Sequence, residues 1–238
     1  MSKKFKGKKC AYCAERESVT GDHIFAREFF LVAERANLPQ APICDDCNNR
    51  KSKLEHYLTT VLPFGGQHPT SLENLESMVP KRLHNNAKLH RELAAGQQRV
   101  LTQTPGGARR HTLTVPLDGR RLDELFAMIV RGLVWYHWQV YLGNKYKVQM
   151  HSVTRFGERF FDEYLFKLNA RNRVRGNPGG GAFTYEGAQG VDDAGITIWR
   201  FDIYGGLVSC EDPTKPETMG SQTVVITAPE AAFQPKAE

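Results

Sequence analysis

Cys10-Ala-Tyr-Cys13 and Cys44-Asp-Asp-Cys47 bracket an Asp22-His23-Ile24 run, and Asn48 follows the second pair at once. Each Cys-x-x-Cys turn presents two sulfurs, and two such turns close a tetrahedral four-sulfur zinc site with no open position for water. Iron is the main competitor for the same soft donors. The residues beside the knuckles suit a different chemistry. A hard oxygen from Asp22 and another from Asn48 fit Mg²⁺, which keeps several waters and takes substrate phosphate oxygens in its remaining positions. His23, with an ordinary pKa near ~6.5, is suited to remove a proton from an attacking water. Adjacent residues at a strand end project in different directions, so Asp22 and His23 can serve two partners. A bare zinc ribbon accounts for each residue singly, with Asp22 and His23 in a turn and Asn48 as a helix N-cap. It accounts less well for all of them together.

The combined string, C-x-x-C, D-H-I, then C-x-x-C-N-x-x-K, is carried here by Cys10, Cys13, Asp22-His23-Ile24, Cys44, Cys47-Asn48 and Lys51. It resembles the HNH endonucleases, in the version braced by a four-cysteine zinc site, over the stretch from Cys10 to Val61. The resemblance implies a ββα-metal fold and a metal-dependent phosphodiesterase acting on DNA. It assigns structural Zn²⁺ to Cys10, Cys13, Cys44 and Cys47, the general base to His23, and a catalytic Mg²⁺ or Mn²⁺ to Asp22 and Asn48. Cleavage would leave a 5′-phosphate and a 3′-hydroxyl. Arg50 and Lys51 would contact backbone phosphates, the alternative being two solvated helix residues. One departure stands out. Many members of the family carry a middle Asn shortly before the second knuckle that orients the histidine; here that position is Pro39, with Asn37 nearest, and Asn37 is left out of the catalytic set. His56, about two helical turns beyond Asn48, is expected to be a partly exposed histidine outside the site.

These residues need elements to hold them. Gly21 supplies a turn before a short strand carrying Asp22 and His23. Ala26 to Ala36 reads as a short helix, and Asn37 to Ile43, with two prolines, as an extended connection. Asn48 to Val61 has Leu54, Leu58 and Val61 on one face of a helix. Pro63 to Pro69 marks a boundary. The expected organisation is α+β: a zinc-braced ββα-metal (HNH) module over 1–62, a mixed helical and antiparallel β region over 70–228, and a tail over 229–238. In the second region the pattern gives a helix over Ser71 to Ala95 kinked at Pro80, and a hairpin of Arg99 to Thr104 and Arg110 to Val115 around Pro105-Gly-Gly107. A strong core helix follows over Leu122 to Leu142, then a helix over Phe156 to Leu168. Strands are expected at Ala182 to Tyr185, Ile196 to Tyr204, Leu207 to Glu211 and Val224 to Ala228.

The rest of the composition sets limits. The chain of 238 residues carries a net charge of +6 and a pI near 9.1, which favours a polyanionic partner, nucleic acid such as DNA first and an anionic membrane surface second. Its five cysteines, four of them in knuckles, read as metal binding in a reducing, cytoplasmic compartment, with Cys210 as a buried apolar residue. No apolar run reaches the ~18 residues of a membrane span, so no membrane partner is expected. The first nine residues look like a basic arm rather than a signal peptide. The family's habits place such enzymes in bacterial or phage restriction, anti-phage defence or mobile elements. One metal centre cuts one strand, so double-strand cleavage calls for two sites, which a homodimer supplies by symmetry. The alternatives are a zinc-dependent nucleic-acid-binding module without cleavage, or a nuclease controlled by a C-terminal sensor of a regulatory ligand or partner protein.

Overall fold

The computed structural model describes residues 4–103, 109–166, 172–206, 209–210 and 219–234. The fold is mixed α+β. β1 (Thr20–His23) and β2 (Gln40–Ile43) form an antiparallel pair in which Asp22 faces Ala41 and His23 faces Gln40. α1 (Asp45–Val61) begins directly after Cys44, whose extended backbone forms the N-cap. The Asn48 amide N–H donates to the Cys44 carbonyl at 2.9 Å, so Asn48 lies inside the first turn and is not the cap. Asp45 and Asp46 in that turn complement the helix dipole.

The helix expected over 26–36 is replaced by two short 3-10 turns, Arg27–Phe29 and Val32–Glu34. Phe30 between them is extended, and Phe29 and Phe30 both reach Phe183, at centroid distances of 4.9 and 5.5 Å. A helix this short is marginal on its own, so packing on a distant strand decides the conformation. The expected basic arm is likewise folded in. Phe5 is buried against Trp135, and Gly7 and Lys8 share backbone hydrogen bonds with Ser18.

The expected single kinked helix is three: α2 (Pro69–Ser77), α3 (Val79–Asn85) and α4 (Ala87–Ala95). Pro80 cannot continue a helix and instead opens α3, while Asn86 caps α4 by accepting from the Leu89 N–H at 3.0 Å. β3 (Gln98–Gln103) and β4 (Arg109–Thr114) make the expected hairpin; its Pro105-Gly-Gly107 turn lies outside the described residues. α5 (Gly119–Trp138) is capped by Asp118 and stops where Gln139 turns left-handed at φ 57°. It buries Leu125, Phe126, Ile129, Leu133 and Trp135, as a central core helix should.

Next come β5 (Tyr146–Thr154), α6 (Arg155–Phe160) running into a π-helical segment (Phe161–Phe166), β6 (Arg173–Gly176), β7 (Phe183–Gln189), β8 (Thr197–Ile203), β9 (Ser209–Cys210) and β10 (Met219–Pro229). The antiparallel sheet runs β5-β10-β8-β7-β6, with β9 added to β10. β5 and β6 were not expected. The Cys210 side chain, and residues 235–238 of the expected tail, lie outside what is described. Within that tail, Glu230 pairs with Lys147 on the surface.

One hydrophobic core joins the N-terminal elements to α5 and one face of the large sheet, and a smaller cluster around Phe161 lies on the sheet's other face. Phe25 stacks on Tyr185 at 5.7 Å between ring centroids, and Phe126 meets Phe201 at 5.1 Å. The break at 62–70 therefore interrupts a helix but not the core.

Candidate metal centre and adjoining polar cluster

The sulfurs of Cys10, Cys13, Cys44 and Cys47 all lie within 4.8 Å of one another, and those of Cys13 and Cys44 are 3.9 Å apart. A tetrahedral zinc with ~2.3 Å bonds spaces its sulfurs by about 3.8 Å, so the donor set and its size fit zinc. The local fold explains the convergence. The first knuckle turns back through the left-handed Ala14, at φ 56°, and the second pins the start of α1. A hydrogen bond with Cys47 holds the Cys10 thiol down at about 5, burial opposing it. That same contact, with burial second, pushes Cys47 well up, and burial raises Cys44. Four thiolates cannot be crowded together unpaired; a bound cation is what makes their full ionisation affordable.

Beside this centre lies a buried polar cluster centred on Lys51. Its side chain is 1% exposed, and its ammonium contacts Asp22 Oδ2 at 3.0 Å, Glu55 Oε1, and the His23 carbonyl at 2.8 Å. The Tyr12 hydroxyl also donates to Asp22 Oδ2, at 2.5 Å. Burial works against the Lys51 charge, but Asp22 and Glu55 outweigh it and hold its pKa above the usual range. Burial first, and then Asp22, raise the Tyr12 phenol. Burial also lifts the Glu55 carboxyl to about 7, with Lys51 pulling the other way. Both donors to Asp22 use one carboxylate oxygen, which leaves Oδ1 without a partner among the described residues.

This placement corrects the expectation that Lys51 meets DNA phosphates: its ammonium is enclosed and fully occupied. Arg50 is on the surface, its side chain 67% exposed, and paired with Glu124. His23 is half-buried at the end of β1. Burial lowers its pKa, Arg27 adds to the effect and Asp22 opposes it, so the ring is neutral at neutral pH. Its Nε2 lies 2.9 Å from the Gln40 side-chain amide nitrogen. Gln40 thus contacts the imidazole from the facing strand, a contact that sequence reasoning missed. Asn37 is exposed in a left-handed turn at φ 58°, a conformation Asn tolerates, and Pro39 accepts the Ile24 N–H through its carbonyl. Asn48 is half-buried, one helical turn from Lys51, and His56 is exposed.

The site thus combines a four-cysteine cluster that could hold a metal such as zinc with the carboxylate of Asp22 and the imidazole of His23 on β1 and the carboxamide of Asn48 on α1. No family model, no curated protein and no solved structure matches the chain. Among the described residues, no helix is long and apolar enough to cross a membrane.

Proposed function

We propose that the chain is a metal-dependent DNA endonuclease of the HNH type, with a structural zinc on Cys10, Cys13, Cys44 and Cys47. The observation that carries the reading is the state of Asp22. Tyr12 and Lys51 lock one of its carboxylate oxygens, the other is left without a partner among the described residues, and His23 follows on the same strand. The order β1, β2, α1, with Asn48 in the first turn of α1, supports the ββα reading. A divalent Mg²⁺ or Mn²⁺ held by Asp22 Oδ1 and Asn48 would supply charge neutralisation at the scissile phosphate.

The chain's own residues do the rest. His23, neutral at working pH, takes the proton from the attacking water. Either orientation of the Gln40 amide fits the contact with the ring, because its O and N ends have the same shape. With Oε1 turned inward, Gln40 accepts the Nε2 proton and leaves the Nδ1 lone pair for the water. Lys51 acts through Asp22, fixing the direction of that carboxylate. Arg50 is the residue of the pair that can reach a phosphate, after leaving Glu124.

The test is nicking of supercoiled plasmid by zinc-loaded protein with added Mg²⁺ or Mn²⁺, followed by end labelling. The expected products carry 5′-phosphate and 3′-hydroxyl ends, and chelation of the added metal abolishes cleavage. Binding of DNA without cleavage under any divalent metal would instead favour a zinc-dependent binding module.

A further inference from the structure

The large sheet has one face against α5 and the N-terminal elements. On its other face, Phe161 from the π-helical segment packs with Val153, Ala188, Ile198 and Val224 and covers one end. The remaining end holds an open cavity of about 510 Å³, within the ~300–1,000 Å³ range of small-molecule sites. Strand register sets its floor. Thr184 on β7 pairs with Asp202 on β8, and Thr223 on β10 pairs with Phe201, so Gln222 stands beside Asp202 on the adjacent strand. All three line the cavity.

Among the described residues, Asp202 Oδ1 and Gln222 Oε1 are both buried and have no hydrogen-bond partner. Buried acceptors without partners are uncommon, and a pair of them side by side in one cavity is a site for donors from a ligand. The neighbouring charges narrow the choice. Arg200 lies two residues before Asp202 on the same face of β8 and lines the same cavity, but its guanidinium is already bonded to Glu186 at 2.8 Å and Asp162 at 2.6 Å. With Arg175 and Arg200 balanced by Glu186 and Asp202, the lining offers no net negative charge to a metal ion or ammonium, and a neutral donor pair suits it. Adenine and cytosine offer an amino group next to a ring acceptor, and uracil and thymine offer one ring N–H between carbonyls. Guanine sets two donor atoms, N1–H and the N2 amino group, side by side. Arg175 pairs with Glu186 through Nε at 3.0 Å, and its side chain stays 74% exposed where it lines the cavity, in position for an anion.

We infer that this cavity binds a guanine nucleotide, with the donor edge of the base on Asp202 and Gln222 and its phosphate at Arg175. The inference is independent of the cleavage reading, since the two sites share no residue. The nucleotide can be free or part of a strand, and two arms of one experiment separate these sources. Equilibrium dialysis of the full chain with labelled 5′-GMP should show saturable binding below roughly 1 mM. IMP, which lacks the N2 amino group, and AMP should each bind about ten-fold more weakly. Competition by a guanine-containing single-stranded oligonucleotide, but not by its inosine counterpart, would place the nucleotide in a strand; failure of the oligonucleotide to compete while GMP binds would make it free. Arg175→Ala should weaken GMP but leave guanosine unchanged. Of Asp202→Ala and Gln222→Ala, the one that removes the acceptor of the N2 amino group should lose the preference for GMP over IMP and the other should weaken GMP and IMP alike, neither with a fall in thermal midpoint, because each removes an unsatisfied acceptor. Absence of saturable binding by the wild type, or equal affinity for GMP, IMP and AMP, overturns the inference without reference to any variant.

Discussion

Replacing Lys51 with Met removes the cation shared by two enclosed carboxylates. The Lys51 side chain is 1% exposed, and those of Asp22 and Glu55 are 13% and 18% exposed, so little solvent can take its place. Breaking a buried pair by deleting one partner costs about 3–5 kcal/mol, most of it from the charge left behind. For a chain of this length that corresponds to a fall in thermal midpoint of roughly 10 °C. The loss should depend on pH. Glu55 titrates at about 7 in the folded state against an ordinary 4.5. A carboxyl raised on folding contributes stability that is present below its unfolded value and is lost as pH rises through its folded value. Lys51 lowers the Glu55 pKa, so without it the carboxyl moves higher still, and the variant's deficit should shrink at pH 5 and widen towards pH 8. The assay is thermal unfolding of zinc-loaded protein followed by tryptophan fluorescence at several pH values. A second change, Glu55→Gln, in the Lys51→Met background should restore part of the midpoint. A deficit below about 1 kcal/mol that is the same at pH 5 and pH 8 would refute the buried-cation account.

The remaining expectations concern the metal, the pH balance and the histidine's neighbour. Purified protein should carry about one zinc per chain by elemental mass spectrometry, and Cys13→Ser or Cys47→Ser should reduce it several-fold and lower the midpoint. His137, hydrogen-bonded to Tyr185, titrates at about 4 because it is buried. A histidine lowered on folding contributes stability present above its unfolded value, near 6.5, and lost as pH falls through 4, which amounts to about 3 kcal/mol. Glu55 contributes a change of similar size and opposite sign over pH 4.5 to 7, so Glu55→Gln should make stability rise more steeply with pH. Urea titrations of both proteins at pH 5 and pH 7 measure the difference. Gln40→Ala should slow cleavage about 10-fold or more, as loss of a group that orients an active imidazole does, while leaving zinc content unchanged.

The four-cysteine centre was readable because donor type and spacing are local: each knuckle is one turn, and nothing distant is needed to recognise it. α1 and α5 were readable from apolar periodicity. Lys51 carried a signal that motif spacing hid. It stands three residues before Leu54 and seven before Leu58, on the buried stripe of α1, whereas Lys53 lies off that stripe and is exposed. Gln40 had no such signal, since its contact with His23 depends on the register of β1 against β2 across a long intervening loop. The two turns around Phe29 were hidden for the same reason, because their conformation is set by Phe183, far along the chain. β5 does alternate, with Tyr146, Val148 and Met150 packed on the core side, but its hydrophilic partners Lys147, Gln149 and His151 made it resemble a loop. The Asp202 and Gln222 pair exists only once β8 and β10, some twenty residues apart along the chain, are in register.

The central claim is that His23 removes a proton in a metal-dependent cleavage of DNA. Its most direct test is the initial rate of plasmid nicking by wild type and His23→Ala, at matched zinc content and in the same Mg²⁺ or Mn²⁺. The account predicts a loss of about 10²-fold or more, as removal of a general base produces. Equal rates for the two proteins would contradict it.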